Sequence, residues 1–180
     1  MFDRALARAR RRRWIARISR DPRARGPWWT EILAGVALSY TDCCYVEIGV
    51  EHGTSISVVA PCCAEVHGCD IADRSGGMPR GARFWQMSSD EFFERYDGSP
   101  PHLVFIDGDH AYEQARRDFD NAVRILAPGG TIAVHDTSPG EDETDHTLER
   151  CGEVWRLEPE LAGEKLTFRS FPGLTLVRPG

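Results

Sequence analysis

Tyr45-Val46-Glu47-Ile48-Gly49-Val50-Glu51-His52-Gly53-Thr54-Ser55 is the stretch on which the reading of the fold turns. A short apolar run ends in an acid, turns through two glycines four residues apart and enters a segment rich in Ser and Thr. Glycine at 49 permits a tight turn after a strand and lets a ligand approach with no Cβ in the way. The N–H groups that open the following helix then face whatever sits over the turn. A dinucleotide fold favours Gly-x-Gly-x-x-Gly here, because a pyrophosphate lies on the turn. Glu51 stands where the second of those glycines would be, and it would repel a pyrophosphate. A ligand without phosphate is expected.

Outward from that turn, strands and helices alternate. The pattern predicts strand 44–48, helix 54–60, strand 65–70, a polar glycine loop over 73–81 and a short strand over 83–87. Helix 89–96, strand 102–107, helix 112–126 and strand 130–135 follow. The helix over 112–126 is the most periodic, with Ala115, Phe119, Ala122, Val123 and Leu126 on one face. Pro128-Gly129-Gly130 stops it. Such alternation implies a mostly parallel, doubly wound sheet with helices on both faces, an α/β fold of the Rossmann-like kind. The tail departs from it: Leu166–Phe171 and Leu174–Val177, joined by Pro172-Gly173, read as an antiparallel hairpin. Before the first strand, residues 3–19 read as a helix ended by Asp21-Pro22, and Trp28 to Leu38 as a second one.

In an open parallel sheet the ligand lies across the carboxyl ends of the strands. Three acids fall there. Glu47 ends the first strand, Asp70 ends the second, placed to accept both hydroxyls of a ribose, and Asp107 ends the fourth. Each alone reads equally as a helix cap or a solvated loop residue. Three in register with Gly49, Gly53 and the Pro128-Gly129-Gly130 turn read as a site.

Two sets of residues carry a family resemblance. Glu47-x-Gly49-x-x-x-Gly53-x-Ser55 resembles motif I of class I S-adenosylmethionine (SAM) methyltransferases. Phe105-Ile106-Asp107-Gly108-Asp109-His110-Ala111-Tyr112, the helix after it, Leu126 to Gly130, and His135-Asp136-Thr137 resemble the small-molecule branch. That branch includes macrolide-sugar O-methyltransferases and, more distantly, catechol O-methyltransferase and cephalosporin hydroxylase-type proteins. The likeness covers residues 44–177, and the closing antiparallel strand fits it. It implies SAM over Gly49, with S-adenosylhomocysteine (SAH) as product. Glu47, Gly49, Gly53, Thr54, Ser55, Asp70, Ile71, Ser88 and Asp107 are then the cofactor residues, with adenine against Ile71 and the Met87-Ser88-Ser89 turn. It also implies Mg2+ or another divalent metal. Asp107 and Asp136 match two ligand positions, and the third is His135, or Thr137 in the catechol-type register. Imidazole is a poor Mg2+ ligand and suits Mn2+, Fe2+, Zn2+ or Ni2+.

His110 falls where macrolide-sugar relatives place a general base, and with Asp107 it forms the expected catalytic pair. An alcohol is a weak nucleophile until its proton leaves, and an imidazole titrating near neutrality accepts such a proton. The same Gly108-Asp109-His110 also reads as a turn and helix cap. The resulting expectation is methyl transfer to a hydroxyl of a small molecule of natural-product or sugar type. Metal-independent N- or C-methylation, an inactive SAM-binding partner protein and an iron oxygenase are the rivals.

Charge and composition bound the rest. The net charge of −6 hides an asymmetry: residues 1–25 carry ten Arg against Asp3 and Asp21, leaving the remainder strongly acidic. Residues 1–40 are read as an N-terminal helical arm or lid and 41–180 as the SAM-binding domain. The arginines are expected to be solvated along an amphipathic helix, which makes a nucleic-acid partner the weaker reading. No run of eighteen apolar residues occurs and the start is too charged for a signal peptide, so a cytoplasmic protein with no membrane partner is expected. Six cysteines without a Cys-x-x-Cys read as buried, reduced thiols. A small-molecule acceptor is the partner expected, with homodimerisation left open.

Overall fold

In a computed structural model, residues 26–180 are described, together with Ala9, Arg12, Arg13 and Ala16. Those four are helical; the remainder of the helix expected over 3–19 lies outside the described residues. The elements that follow are α1 (Trp28–Ser39), β1 (Cys44–Ile48), α2 (Thr54–Val59), β2 (Glu65–Asp70), β3 (Arg83–Gln86) and α3 (Ser89–Arg95). Then come β4 (Leu103–Ile106), α4 (Tyr112–Ile125), β5 (Thr131–His135), β6 (Glu164–Phe168) and β7 (Leu174–Arg178).

Seven strands form one sheet in the order β3-β2-β1-β4-β5-β7-β6. The first five are parallel, and β7 pairs antiparallel with both β5 and β6. Strand order reverses between β1 and β4, the point at which a doubly wound sheet opens a crevice for a ligand. The predicted Rossmann-like architecture with its antiparallel hairpin is therefore the observed one. β6 lies earlier than the sequence pattern suggested, ending at Phe168. Pro172 has no N–H for a ladder, and the Gly173 N–H closes a turn on the Ser170 carbonyl, which takes residues 169–173 out of the strand.

Side-chain alternation along the strands divides the core in two. Val46, Ile48, Val104, Ile106, Ile132 and Val134 face α3 and α4. Tyr45, Leu103, Phe105 and Ala133 face α1 and α2, where Leu33, Ala34, Ala37, Ile56 and Val59 meet them. On α4, Ala115, Phe119 and Ala122 are buried as their spacing predicts, while Val123 is 39% exposed. It sits too far round the helix to join that face. All six cysteines are free thiols; five are buried and Cys63 is half-buried. No helix among the described residues is long and apolar enough to cross a membrane.

Candidate active site

The turn after β1 is held from three sides. The Gly49 N–H donates to the Cys69 carbonyl at 2.9 Å, which ties the turn to β2. At φ +84° Gly49 lies in the left-handed region, and a Cβ there would overlap the Asp107 carbonyl, so any other residue would push β1 and β4 apart. Asp70 is fixed by backbone. Glu51 N–H donates to its Oδ2 at 2.9 Å and Ala72 N–H to its Oδ1 at 2.8 Å. Each oxygen keeps further acceptor capacity at the mouth of the cleft. Ile71, 78% exposed, and the Met87-Ser88 segment line the same end. Ser88 also caps α3, accepting from the Glu91 N–H.

Glu47 is placed differently from expectation. It is fully buried on the α1/α2 side of the sheet, because it alternates with Ile48 and shares a face with Tyr45. Tyr45 Oη donates to its Oε2 and Ser55 Oγ to its Oε1. Burial raises the carboxyl to about 8, against the opposing pull of the Tyr45 bond. Glu47 thus anchors the turn from beneath and does not line the cleft. Gly53 is likewise structural: at φ +71° it opens α2, and a Cβ would overlap the Gly77 carbonyl. Thr54 and Ser55 border a small side pocket of about 150 Å³ beside Gly49 and Asp107.

The other end of the cleft gathers two acids and two imidazoles. Asp107 follows β4. His135 ends β5, and Asp136 after it is left-handed at φ +58°, a conformation Asp tolerates better than most residues. His135 Nδ1 lies 2.9 Å from Asp107 Oδ1 and 3.1 Å from Asp136 Oδ2. His110 Nε2 lies 3.2 Å from Asp136 Oδ2 and 3.9 Å from Asp107 Oδ1. The far nitrogen of His110, Nδ1, is 3.1 Å from the Leu148 carbonyl. A carbonyl and a carboxylate both only accept, so the protonated ring donates from Nδ1 to Leu148 and from Nε2 to Asp136, and the Nε2 proton is the one that faces the cleft. For both rings burial opposes the charged form, but the two carboxylates outweigh it: His110 is raised and His135 is pushed up to about 10. Burial works against the Asp107 anion too, yet the two imidazoles hold its carboxyl well below the usual range. Asp107, His110 and Asp136 are the donors that converge within 4.8 Å of one another. Thr137, the alternative to His135, is buried and accepts from Thr175 Oγ1 at 2.9 Å. Asp109 Oδ1 accepts from the N–H of Ala111, the residue just before α4, so the turn reading of Gly108–His110 coexists with a cleft-facing His110, while no side chain caps the helix.

The cleft joining these ends has a volume of about 880 Å³, at the upper end of ordinary ligand pockets. Its walls at the imidazole end were not legible in the sequence. Trp28 and Trp29 open α1, with the Trp29 ring 4.4 Å from that of His135. Trp28 Nε1–H donates to the Phe171 carbonyl at 3.1 Å, tying α1 to the hairpin turn. Opposite, the wall is Glu149, Arg150 and Cys151. Adjacent tryptophans at a helix start were the one available signal.

A second polar cluster, Cys44, Glu65 and His67, sits at the opposite, amino-terminal end of strands β1 and β2. Trp85 Nε1–H donates to His67 Nδ1 at 3.2 Å, so the ring proton sits on Nε2 and is shared with Glu65 Oε1 at 2.7 Å. A ligating imidazole would instead donate from its outer nitrogen. This cluster is a structural hydrogen-bond chain.

Comparison with known proteins agrees with this geometry. Residues 46–137 match the family described as a methyltransferase domain. Among solved structures, cofactor-bound Rv0187 from MTB superposes with a TM-score of 0.65 at 17% identity, over 87% of this chain and 82% of that one. The O-methyltransferase TomG from Streptomyces achromogenes, involved in tomaymycin synthesis and solved with SAM, gives 0.64 at 18%, over 84% and 80%. The MycE methyltransferase of the mycinamycin pathway, solved with Mg and SAH, gives 0.61 at 18%, over 85% of this chain and 49% of that one. At these identities the superpositions establish a shared class I methyltransferase fold. The matched segment runs from the β1 strand that leads into the Gly49 turn to the end of the acid–histidine cluster, and the chain belongs to the methyltransferase-domain family.

Proposed function

We propose that the protein transfers the methyl group of SAM to a hydroxyl oxygen of a small molecule, with His110 as general base. The observation that carries this reading is the placement of His110, held at both ring nitrogens with Nε2 on the cleft side. Leu148 holds the Nδ1 proton, and Nε2 faces the cleft beside Asp136. The residues present fit the cofactor. Gly49 leaves the turn open, Asp70 offers oxygens to a ribose, and exposed Ile71 with Met87 offers an apolar rest for adenine. Bound there, SAM supplies an electrophilic methyl carbon on a sulfonium.

The chain's own residues supply orientation and a place for the proton. Transfer needs the acceptor oxygen close to the methyl carbon and in line with its bond to sulfur. As the new C–O bond forms and the methyl–sulfur bond breaks, leaving the thioether, the hydroxyl proton passes to Nε2 of the neutral His110 ring. Asp136 at 3.2 Å and Asp107 at 3.9 Å stabilise the imidazolium that results. The Trp28 and Trp29 side chains form one wall of the acceptor end and limit water there. Calorimetry with SAM and SAH, followed by labelled-methyl transfer to a panel of hydroxyl and amine acceptors, tests the reading. Labelled alcohol ethers are the expected product. Transfer to amines alone would favour N-methylation, and absence of SAM binding would overturn the proposal.

A further inference from the structure

His110 is held at its ring and at its main chain by one distant stretch of the chain. The ring Nδ1–H donates to the Leu148 carbonyl at 3.1 Å, and the Glu153 N–H donates to the His110 carbonyl at 2.8 Å. Both partners lie in the turn over 147–153, within the connection between β5 and β6. That turn is folded on itself. The Arg150 and Gly152 N–H groups donate to the Thr147 carbonyl, and the Cys151 N–H to the carbonyl of buried Asp145, whose carboxylate accepts from Arg150. An imidazole held at one nitrogen can pivot about that contact; one held at both cannot.

Gly152 is what lets the turn reach His110. It is buried and left-handed at φ +53°, and a Cβ there would lie 2.5 Å from the His110 carbonyl oxygen and 2.7 Å from the His110 Cβ. Neither neighbour is the far end of a flexible side chain, so any other residue would push the turn off His110. Glu149, Arg150 and Cys151 line the cleft, whereas Gly152 does not. Asp136 and Asp107 meet the opposite, Nε2 side of the ring. With the imidazole of His135 they make a donor set that suits a nitrogen-accepting divalent metal, and the hold on Nδ1 is separate from it.

We propose that Gly152 is a positioning residue for His110. Bare of a Cβ, it lets the 147–153 turn close on the residue, so that the Leu148 carbonyl and the Glu153 N–H together aim Nε2 at the acceptor. Gly152 acts only through the imidazole. The inference rests on the reading of His110 as general base, and its test separates the two.

Gly152→Ala is expected to bind SAM with wild-type affinity in calorimetry and to lower turnover by about 10²-fold, the scale on which a misplaced catalytic group is felt. Combined with His110→Ala it should lower turnover no further, because both substitutions remove the same contribution. A Gly152→Ala loss of equal size in the wild-type and His110→Ala backgrounds overturns the inference, as does wild-type turnover in Gly152→Ala. His110→Ala with wild-type turnover overturns the general-base reading and the inference with it. A second readout needs no acceptor. In protein carrying isotope-labelled histidine, the His110 Nδ1–H should give a magnetic resonance signal protected from exchange with water, assigned by its absence in His110→Ala. That signal should be lost in folded Gly152→Ala. A wild-type spectrum without it, or a folded Gly152→Ala that retains it, overturns the inference. Should Gly152→Ala fail to fold, Gly152→Asn takes its place in both measurements, since Asn tolerates left-handed backbone yet still brings a Cβ to His110.

Discussion

The two ends of the cleft are built from different materials. At the cofactor end, Gly49, Asp70 and Met87-Ser88 come from consecutive strand ends, and backbone does most of the holding: Gly49 N–H on Cys69, and the Glu51 and Ala72 N–H groups on Asp70. At the acceptor end the parts come from far apart in the chain. Trp28 and Trp29 open α1, His110 and Asp136 follow β4 and β5, Arg150 belongs to the long β5–β6 connection, and Phe171 to the hairpin turn. There the holding is by side chains, imidazole to carboxylate and indole to carbonyl. A backbone-built end follows from the topology of the sheet and depends on few side chains, Asp70 foremost among them. A side-chain-built end is specific to this chain, and each substitution should be felt there alone.

The largest effect expected is on His110. His110→Ala should lower turnover by about 10²–10⁴, the range of general-base contributions, while SAM affinity stays at the wild-type level. The base must be neutral to act, and its pKa is raised above the ordinary 6.5. Wild-type kcat/KM should therefore fall as pH drops through a value above 6.5, and the variant should lack that limb. A pH profile with no such limb, or a variant that keeps its turnover on a confirmed acceptor, moves the base elsewhere and dissolves the division between the two ends.

Asp70 gives the converse. Asp70→Ala should weaken SAM binding by about 1.5–3 kcal/mol, the scale of hydrogen bonds to a charged group, with turnover at saturating SAM preserved. Calorimetry reads it directly, and unchanged affinity removes Asp70 from the cofactor end.

Beneath that end, Glu47 should leave a mark on stability. Burial raises its folded pKa from 4.5 to about 8. The folded state therefore holds the proton longer than the unfolded chain does. This contribution is complete below pH 4.5 and is lost as pH rises toward about 8, with a slope of at most about 1.4 kcal/mol per pH unit. Glu47→Gln should flatten that slope in denaturant unfolding measured across the same range. Parallel pH dependences for the two proteins would mean that Glu47 is ionised in the fold.

Legibility in the sequence follows the same division. The strand–helix alternation, the Gly49 turn and the strand-end position of Asp70 are local patterns, each enforced by a 2.0 or 3.6 residue period or by a glycine that nothing else can replace. The strand-end position named Asp107, and the family resemblance named His110, His135 and Asp136. Neither could read how they divide the work. That His135 Nδ1 lies between the two carboxylates depends on the packing of Trp29 and Phe105 around the ring. Glu47 was assigned to the ligand because it ends β1, yet strand alternation turns it with Tyr45 toward α2. The aromatic wall was invisible for a simpler reason: Trp28 and Phe171 meet across 143 residues of chain, and no local period records such a contact.

The smallest effect expected is at that long-range contact. Trp28→Phe keeps an aromatic ring against Phe168 but removes the Nε1–H that donates to the Phe171 carbonyl. That bond is solvent-accessible, so its loss should cost about 0.5–1.5 kcal/mol of stability or less. Because it ties α1 to the hairpin turn on the acceptor side, the acceptor KM should rise while the SAM dissociation constant does not move. Unfolding midpoints and the two binding measurements together decide the matter. If SAM affinity falls with acceptor affinity, α1 and the hairpin turn support the whole cleft, and the two ends are not separable after all. If neither moves, the wall is held by ring packing alone, and Trp29 on His135 becomes the contact through which α1 reaches the chemistry.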